Sequence, residues 1–166
     1  GAKGAHLRVT GKKDNAYSRG AICYSNQADI ANIRLTATTD FGWTLGHQNA
    51  ITNIRKGAVV DTTAQDVSLA GAIHANGIGG KELHISDGAQ VQARSNSLHS
   101  AIRIMGDLTV DNATLDASNT YGKWSAYGIE VWQNYTPTTS SNRIVVENGA
   151  QVRAHSTGSY AALLAT

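Results

Sequence analysis

The sequence predicts an all-β chain: a right-handed parallel β-helix, or solenoid, of about six coils with three short strands each. Three observations carry this. A short phrase recurs as Gly20-Ala21-Ile22-Cys23, Gly71-Ala72-Ile73-His74, Ser100-Ala101-Ile102-Arg103 and Tyr127-Gly128-Ile129-Glu130, and more loosely as Tyr160-Ala161-Ala162-Leu163. Ile73, Ile102 and Ile129 are spaced by 29 and 27 residues, a period that marks a repeat array. A second phrase, Gly88-Ala89-Gln90-Val91-Gln92-Ala93, returns as Gly149-Ala150-Gln151-Val152-Arg153-Ala154 after 61 residues, about two of the first period.

Composition agrees with strands and turns. Of 166 residues 41% are hydrophobic, but there is one Phe, one Met and one Pro. Small and β-branched residues dominate, with Gly and Asn for turns. The net charge is +2 and only 16% of residues are charged. No run of like charges suggests a nucleic-acid arm or a polybasic patch, and no apolar run is long enough for a membrane helix. Nucleic acid and membrane insertion by this segment are therefore not expected. Cys23 is the single cysteine, so no intrachain disulfide is possible; it reads as a surface or half-buried thiol.

Each coil can be read in order. Leu7-Arg8-Val9, Ile33-Arg34-Leu35, Leu83-His84-Ile85, Leu108-Thr109-Val110 and Ile144-Val145-Val146 alternate as a first strand with one face inward. Turns follow at Lys56-Gly57, Asp87-Gly88, Asp111-Asn112 and Asn148-Gly149, which supply the positive φ of a tight corner. Second strands come next at Val60-Asp61-Thr62, Val91-Gln92-Ala93, Leu115-Asp116-Ala117 and Val152-Arg153-Ala154. A variable polar loop leads to the third strand, the Ala-Ile phrase. Ile22, Ile73, Ile102 and Ile129 are expected to stack as an inner column, with Leu45 between Ile22 and Ile73.

No stretch has helical periodicity, and the coils are too short for a helix in every crossover, so equivalent strands must pair in parallel. Six coils at about 4.8 Å each span roughly 29 Å. The right-handed sense follows from the strong preference of parallel crossovers. Residues 1–166 read as a single segment. With no signal peptide at the start and no polar cap at either end, an excerpt of a longer solenoid is expected.

The sequence Leu108-Thr109-Val110-Asp111-Asn112-Ala113-Thr114-Leu115-Asp116-Ala117-Ser118-Asn119, followed by Tyr127-Gly128-Ile129-Glu130-Val131, resembles the rungs of bacterial surface β-helices. The nearest type is the passenger region of pertactin-like autotransporter adhesins, and the resemblance runs from about residue 7 to the end. It implies a protein displayed outside the cell, at a bacterial surface or secreted. No catalytic residue carries over, because the matched positions are structural in that family.

The residues themselves suggest binding rather than catalysis. Trp124, Tyr127, Trp132 and Tyr135 fall within twelve residues. With Ile129 and Val131 inward, Glu130 and Trp132 should face out, and exposed aromatic faces beside acids and amides can stack on sugar rings. The loops 118–127 and 132–142 are the contact candidates, on a rigid scaffold. The expected partner is a host-surface glycan or protein, or another copy of the chain. The rival class is a β-helical polysaccharide lyase or glycoside hydrolase, which needs acids facing each other across a bond. Asp61 and Asp116 share a second-strand position, but with Gln92 and Arg153 in the same column it reads as a tolerant solvent face. His74, Arg103 and Glu130 form another outward column, whose Arg103–Glu130 pair is expected to be a surface ion pair worth about 0–1 kcal/mol. The histidines lack ligand spacing, so no metal or other cofactor is expected. Gly77-Ile78-Gly79-Gly80 lacks the calcium β-roll pattern and reads as a flexible corner.

Overall fold

The structure, a computed structural model, describes residues 5–11, 20–40, 42–47, 49–65, 76–122, 127–132, 142–158 and 161–165. Every regular element among them is a strand. The first coil holds β1 (Ala5–Gly11), β2 (Gly20–Ile22) and β3 (Gln27–Ala31). The second holds β4 (Ile33–Thr39), β5 (Trp43–Gly46) and β6 (Ile51–Arg55); the third β7 (Val59–Gln65), β8 (Asn76–Gly80) and β9 (Glu82–Ile85). The fourth holds β10 (Gln90–Asn96), β11 (Ile102–Ile104) and β12 (Leu108–Asp111). The fifth holds β13 (Thr114–Asn119), β14 (Ile129–Val131) and β15 (Ile144–Glu147), and β16 (Gln151–Ser156) and β17 (Leu163–Ala165) follow.

These strands stack into three parallel sheets, a β-solenoid. The first sheet runs β1-β4-β7-β10-β13-β16, the second β2-β5-β8-β11-β14-β17 and the third β3-β6-β9-β12-β15. The third sheet has five strands, so the described residues hold five complete coils, slightly fewer than the six expected.

Alternation inside each strand sends one face to the core, and register stacks like on like. Leu35, Val60, Val91 and Leu115 are buried neighbours in the first sheet. Ile54, Ile85 and Val110 stack in the third. In the second, Ile22 pairs with Leu45, Leu45 with Ile78, Ile78 with Ile102, and Ile102 with Ile129. Each fully buried Ile or Leu contributes about 1.5–3 kcal/mol by leaving water.

Three expectations are corrected here. The inner column is continued by Ile78, not Ile73; Gly71–His74 lie outside the described residues. Gly77-Ile78-Gly79-Gly80 is strand β8 rather than a corner. Its glycines are there for close approach: a Cβ on Gly77 would sit 2.7 Å from the Ala101 carbonyl oxygen, and one on Gly79 1.6 Å from Cζ3 of Trp43. Thirdly, Leu7–Val9 and Ile33–Leu35 are not equivalent to Leu83–Ile85. They belong to the first sheet, where Leu7 pairs with Leu35 and Leu35 with Val60, whereas Leu83, Leu108 and Ile144 align in the third. Strand alternation reports which face is inward and is silent on which of three sides a strand occupies.

Candidate functional site

Of the aromatic candidates, Tyr127 and Trp132 flank β14 of the second sheet. Because Ile129 and Val131 point into the core, Glu130 must point out, in register with Arg103 on the preceding coil and with Gly79 on the coil before that. The column expected at His74 is thus occupied by Gly79. Arg103 Nε lies 3.3 Å from Glu130 Oε2, as an ion pair, and Ser100 Oγ donates to the same oxygen at 2.6 Å. The indole of Trp132 covers the guanidinium, with Arg103 Cζ 4.7 Å from the ring centroid. The Trp132 amide itself donates to Ile104 O at 2.8 Å, which anchors the residue directly after β14.

This changes the standing of the pair. The side chains of Arg103 and Glu130 are only 18% and 11% exposed, so it is not the exposed surface pair expected from sequence. Removing either partner of a desolvated pair strands the other charge, at a cost of about 3–5 kcal/mol when burial is complete. The guanidinium also gains from the indole face. Trp132 and Tyr127 remain partly exposed, and the Tyr127 carbonyl accepts from the Ala101 amide at 3.1 Å. The structure therefore keeps Tyr127 and Trp132 at the two ends of one strand. Trp124 and Tyr135, the other two predicted contact residues, lie outside the described residues.

Three coils before β14, the Trp43 ring sits over Gly79 and meets His47 edge-on, with centroids 6.2 Å apart and planes at 61°. A side chain at Gly79 would displace the ring, which explains the glycine. The arrangement leaves a partly buried indole on the flank of β8, next to the coil that carries Arg103.

A second surface lies along the column that the sequence reads as a tolerant solvent face. The column Asp61, Gln92, Asp116, Arg153 is real, each residue in register with the next. Beside it runs Val59, Gln90, Thr114, Gln151, which follows Arg34. Together they floor a groove of about 450 Å³ on the first sheet. The legible signal was the Gly-Ala-Gln-Val repeat, which sets Gln90 and Gln151 in one outward column. Asp61 is held by Arg94, whose Nη1 donates to Asp61 Oδ1 at 2.6 Å.

On and beside the third sheet two ion pairs bridge neighbouring coils. Arg55 grips Asp29 through two nitrogens, and Arg143 donates to Asp107 Oδ2 at 2.7 Å from Nη2. The guanidinium hydrogen bonds hold both carboxyls below the usual Asp range. Among the described residues no three His, Cys, Asp or Glu side chains gather as metal ligands. Cys23 is exposed.

Comparisons with protein-family models, curated proteins and solved structures found no match.

Proposed function

We propose that this chain is a non-enzymatic binding segment of a bacterial surface or secreted β-helix, which contacts a host glycan or protein, or a second copy of itself, through the aromatic flank of the second sheet. The observation that supports this reading is Trp132: a partly exposed indole seated on Arg103, which is in turn paired with Glu130. A ring so fixed presents a stacking surface that loses little freedom when a sugar ring binds. The extracellular location and the adhesive role rest on the rung resemblance described for residues 108–131.

A glycan array, read with the chain and with Trp132→Ala, Trp124→Ala and Trp132→Phe, tests it. The expected result is a bound glycan class whose affinity falls at least about tenfold in Trp132→Ala and is largely kept in Trp132→Phe, where the ring persists. No reducing or unsaturated sugar ends should be released. Turnover of any polysaccharide overturns the reading.

One observation favours the enzymatic alternative, a β-helical lyase or glycoside hydrolase. Asp61 and Asp116 share the groove two coils apart, about 9.6 Å between backbones at the usual strand spacing. That is at the edge of the roughly 6.5–9.5 Å carboxyl separation of inverting hydrolases. The Arg94 bond to Asp61 opposes it, because it ties up one of the two acids. If this alternative holds, Asp116→Asn abolishes any turnover that the array work reveals.

A further inference from the structure

The groove on the first sheet differs from the other polar surfaces in one respect. On the third sheet and at its ends several polar side chains pair across coils: Arg55 with Asp29, Arg143 with Asp107, Asn148 with Asp111. Among the described groove residues only Asp61 is so held. Among the described residues, Gln90, Gln92, Asp116, Gln151 and Arg153 make no side-chain hydrogen bond or ion pair. They stand one coil apart in two adjacent columns, with Arg34 at one end and Arg153 at the other. A smaller cleft of about 160 Å³ at the neighbouring corner shares Gln90, Thr114 and Gln151, and so extends the same surface.

We propose that this groove binds an extended, linear, uncharged polysaccharide lying along the stack, with one sugar facing each coil. The spacing selects the ligand. Coils repeat at about 4.8 Å, and a drawn-out β-1,4-linked glycan advances by a comparable, slightly longer step per sugar, with successive sugars turned over. An extended peptide advances about 3.3 Å per residue and presents every second side chain, so it falls out of step within a few coils. The chemistry selects it too. Each Gln amide offers two donors and a carbonyl acceptor, the set that neighbouring sugar hydroxyls need, and the Asp116 carboxylate accepts from two hydroxyls at once. Val59 alone among the outward floor residues is apolar, so an apolar occupant gains little. Asp116, on the fourth of the five coils, repels a carboxylate there, and the middle coil offers the uncharged Gln90 and Gln92, which sets neutral sugars above uronates.

This inference is independent of the aromatic flank. It is tested by calorimetry of the whole chain with β-1,4-linked gluco-, manno- and xylo-oligosaccharides of two to six sugars, an oligogalacturonate of six, and an extended peptide of matching length. At least one neutral series should bind, with affinity rising to about four or five sugars, the number of coils the groove crosses, and then levelling. Gln92→Ala and Asp116→Ala should each weaken binding about tenfold, since each leaves sugar hydroxyls unpaired. Thr109→Ala, outward on the third sheet, should leave it unchanged. Both groove positions face outward, and unchanged thermal melts will show that the fold is intact. Absence of binding by every neutral series, affinity independent of length, tighter binding of the uronate or the peptide, or insensitivity to both groove variants overturns the inference. Binding accompanied by release of reducing ends keeps the groove and overturns the non-enzymatic reading above.

Discussion

Lys56, Asp87, Asn112 and Asn148 occupy the same corner of four successive coils, between the third sheet and the first, with φ of 53°, 53°, 46° and 52°. Asn32 takes φ of 54° one coil earlier. Neighbouring corners are tied together, the Gly57 amide donating to Asp87 O at 2.9 Å and the Gly88 amide to Asn112 O at 2.8 Å. Asn and Asp tolerate the left-handed conformation because their short polar side chains bond locally, whereas a lysine has no such compensation. Lys56→Asn should therefore stabilise the chain by about 0.5–1 kcal/mol, seen as a higher urea midpoint at unchanged slope. Four of these turns were legible in the sequence, since turn chemistry is local. The state of Arg103 and Glu130 was not. Their burial depends on Trp132 from the end of β14 closing over a side chain of the previous coil, a contact between residues 29 apart.

At the scale of the element, the bend from the first sheet to the second is made by polar residues inside the wall. Ser95, Asn119 and Ser156 are in register at the ends of β10, β13 and β16. Asn119 is fully buried. Its Nδ2 donates to Ser97 O at 3.2 Å and His99 O at 2.6 Å, and its Oδ1 accepts from the Tyr121 amide at 2.9 Å. The Ser156 hydroxyl accepts from Gly158 N at 3.1 Å in the same two-residue pattern. One side chain thus satisfies carbonyls of the neighbouring coil and turns its own chain. Asn119→Ala should cost about 3 kcal/mol in equilibrium unfolding, because buried backbone groups are left without partners. β8 shows the opposite case, in which local sequence misleads. Gly77, Gly79 and Gly80 have turn composition, yet tight neighbours require them in a strand. Ile78 rather than Ile73 enters the core there because pairing with Leu45 and Ile102 sets the register.

For the whole molecule, stability is shared between adjacent coils, each of which supports only its neighbours. Side chains are driest in the middle: Val60, Val91 and Leu115 are no more than 3% exposed, while Leu7, Val146 and Leu163 are 40–47% exposed. Native-state hydrogen exchange should follow this gradient. Amides in β7, β10 and β13 are expected to exchange at least about tenfold more slowly than those in β1 and β17, and uniform protection along the stack would contradict a coil-by-coil architecture.

The repeat period, the inward alternation and the turn residues were enough to determine a parallel solenoid from the sequence alone, because each arises from neighbouring residues or from a pattern that recurs along the chain. Only the tertiary structure decided which side of the coil each strand occupies, which isoleucine completes the inner column, and how Trp132, Arg103 and Glu130 come together. It also revealed that Gln90, Gln92, Asp116, Gln151 and Arg153 line one groove without partners. These are matters of lateral register between coils, set by the summed packing of strands roughly thirty residues apart, and no local stretch of sequence carries that sum.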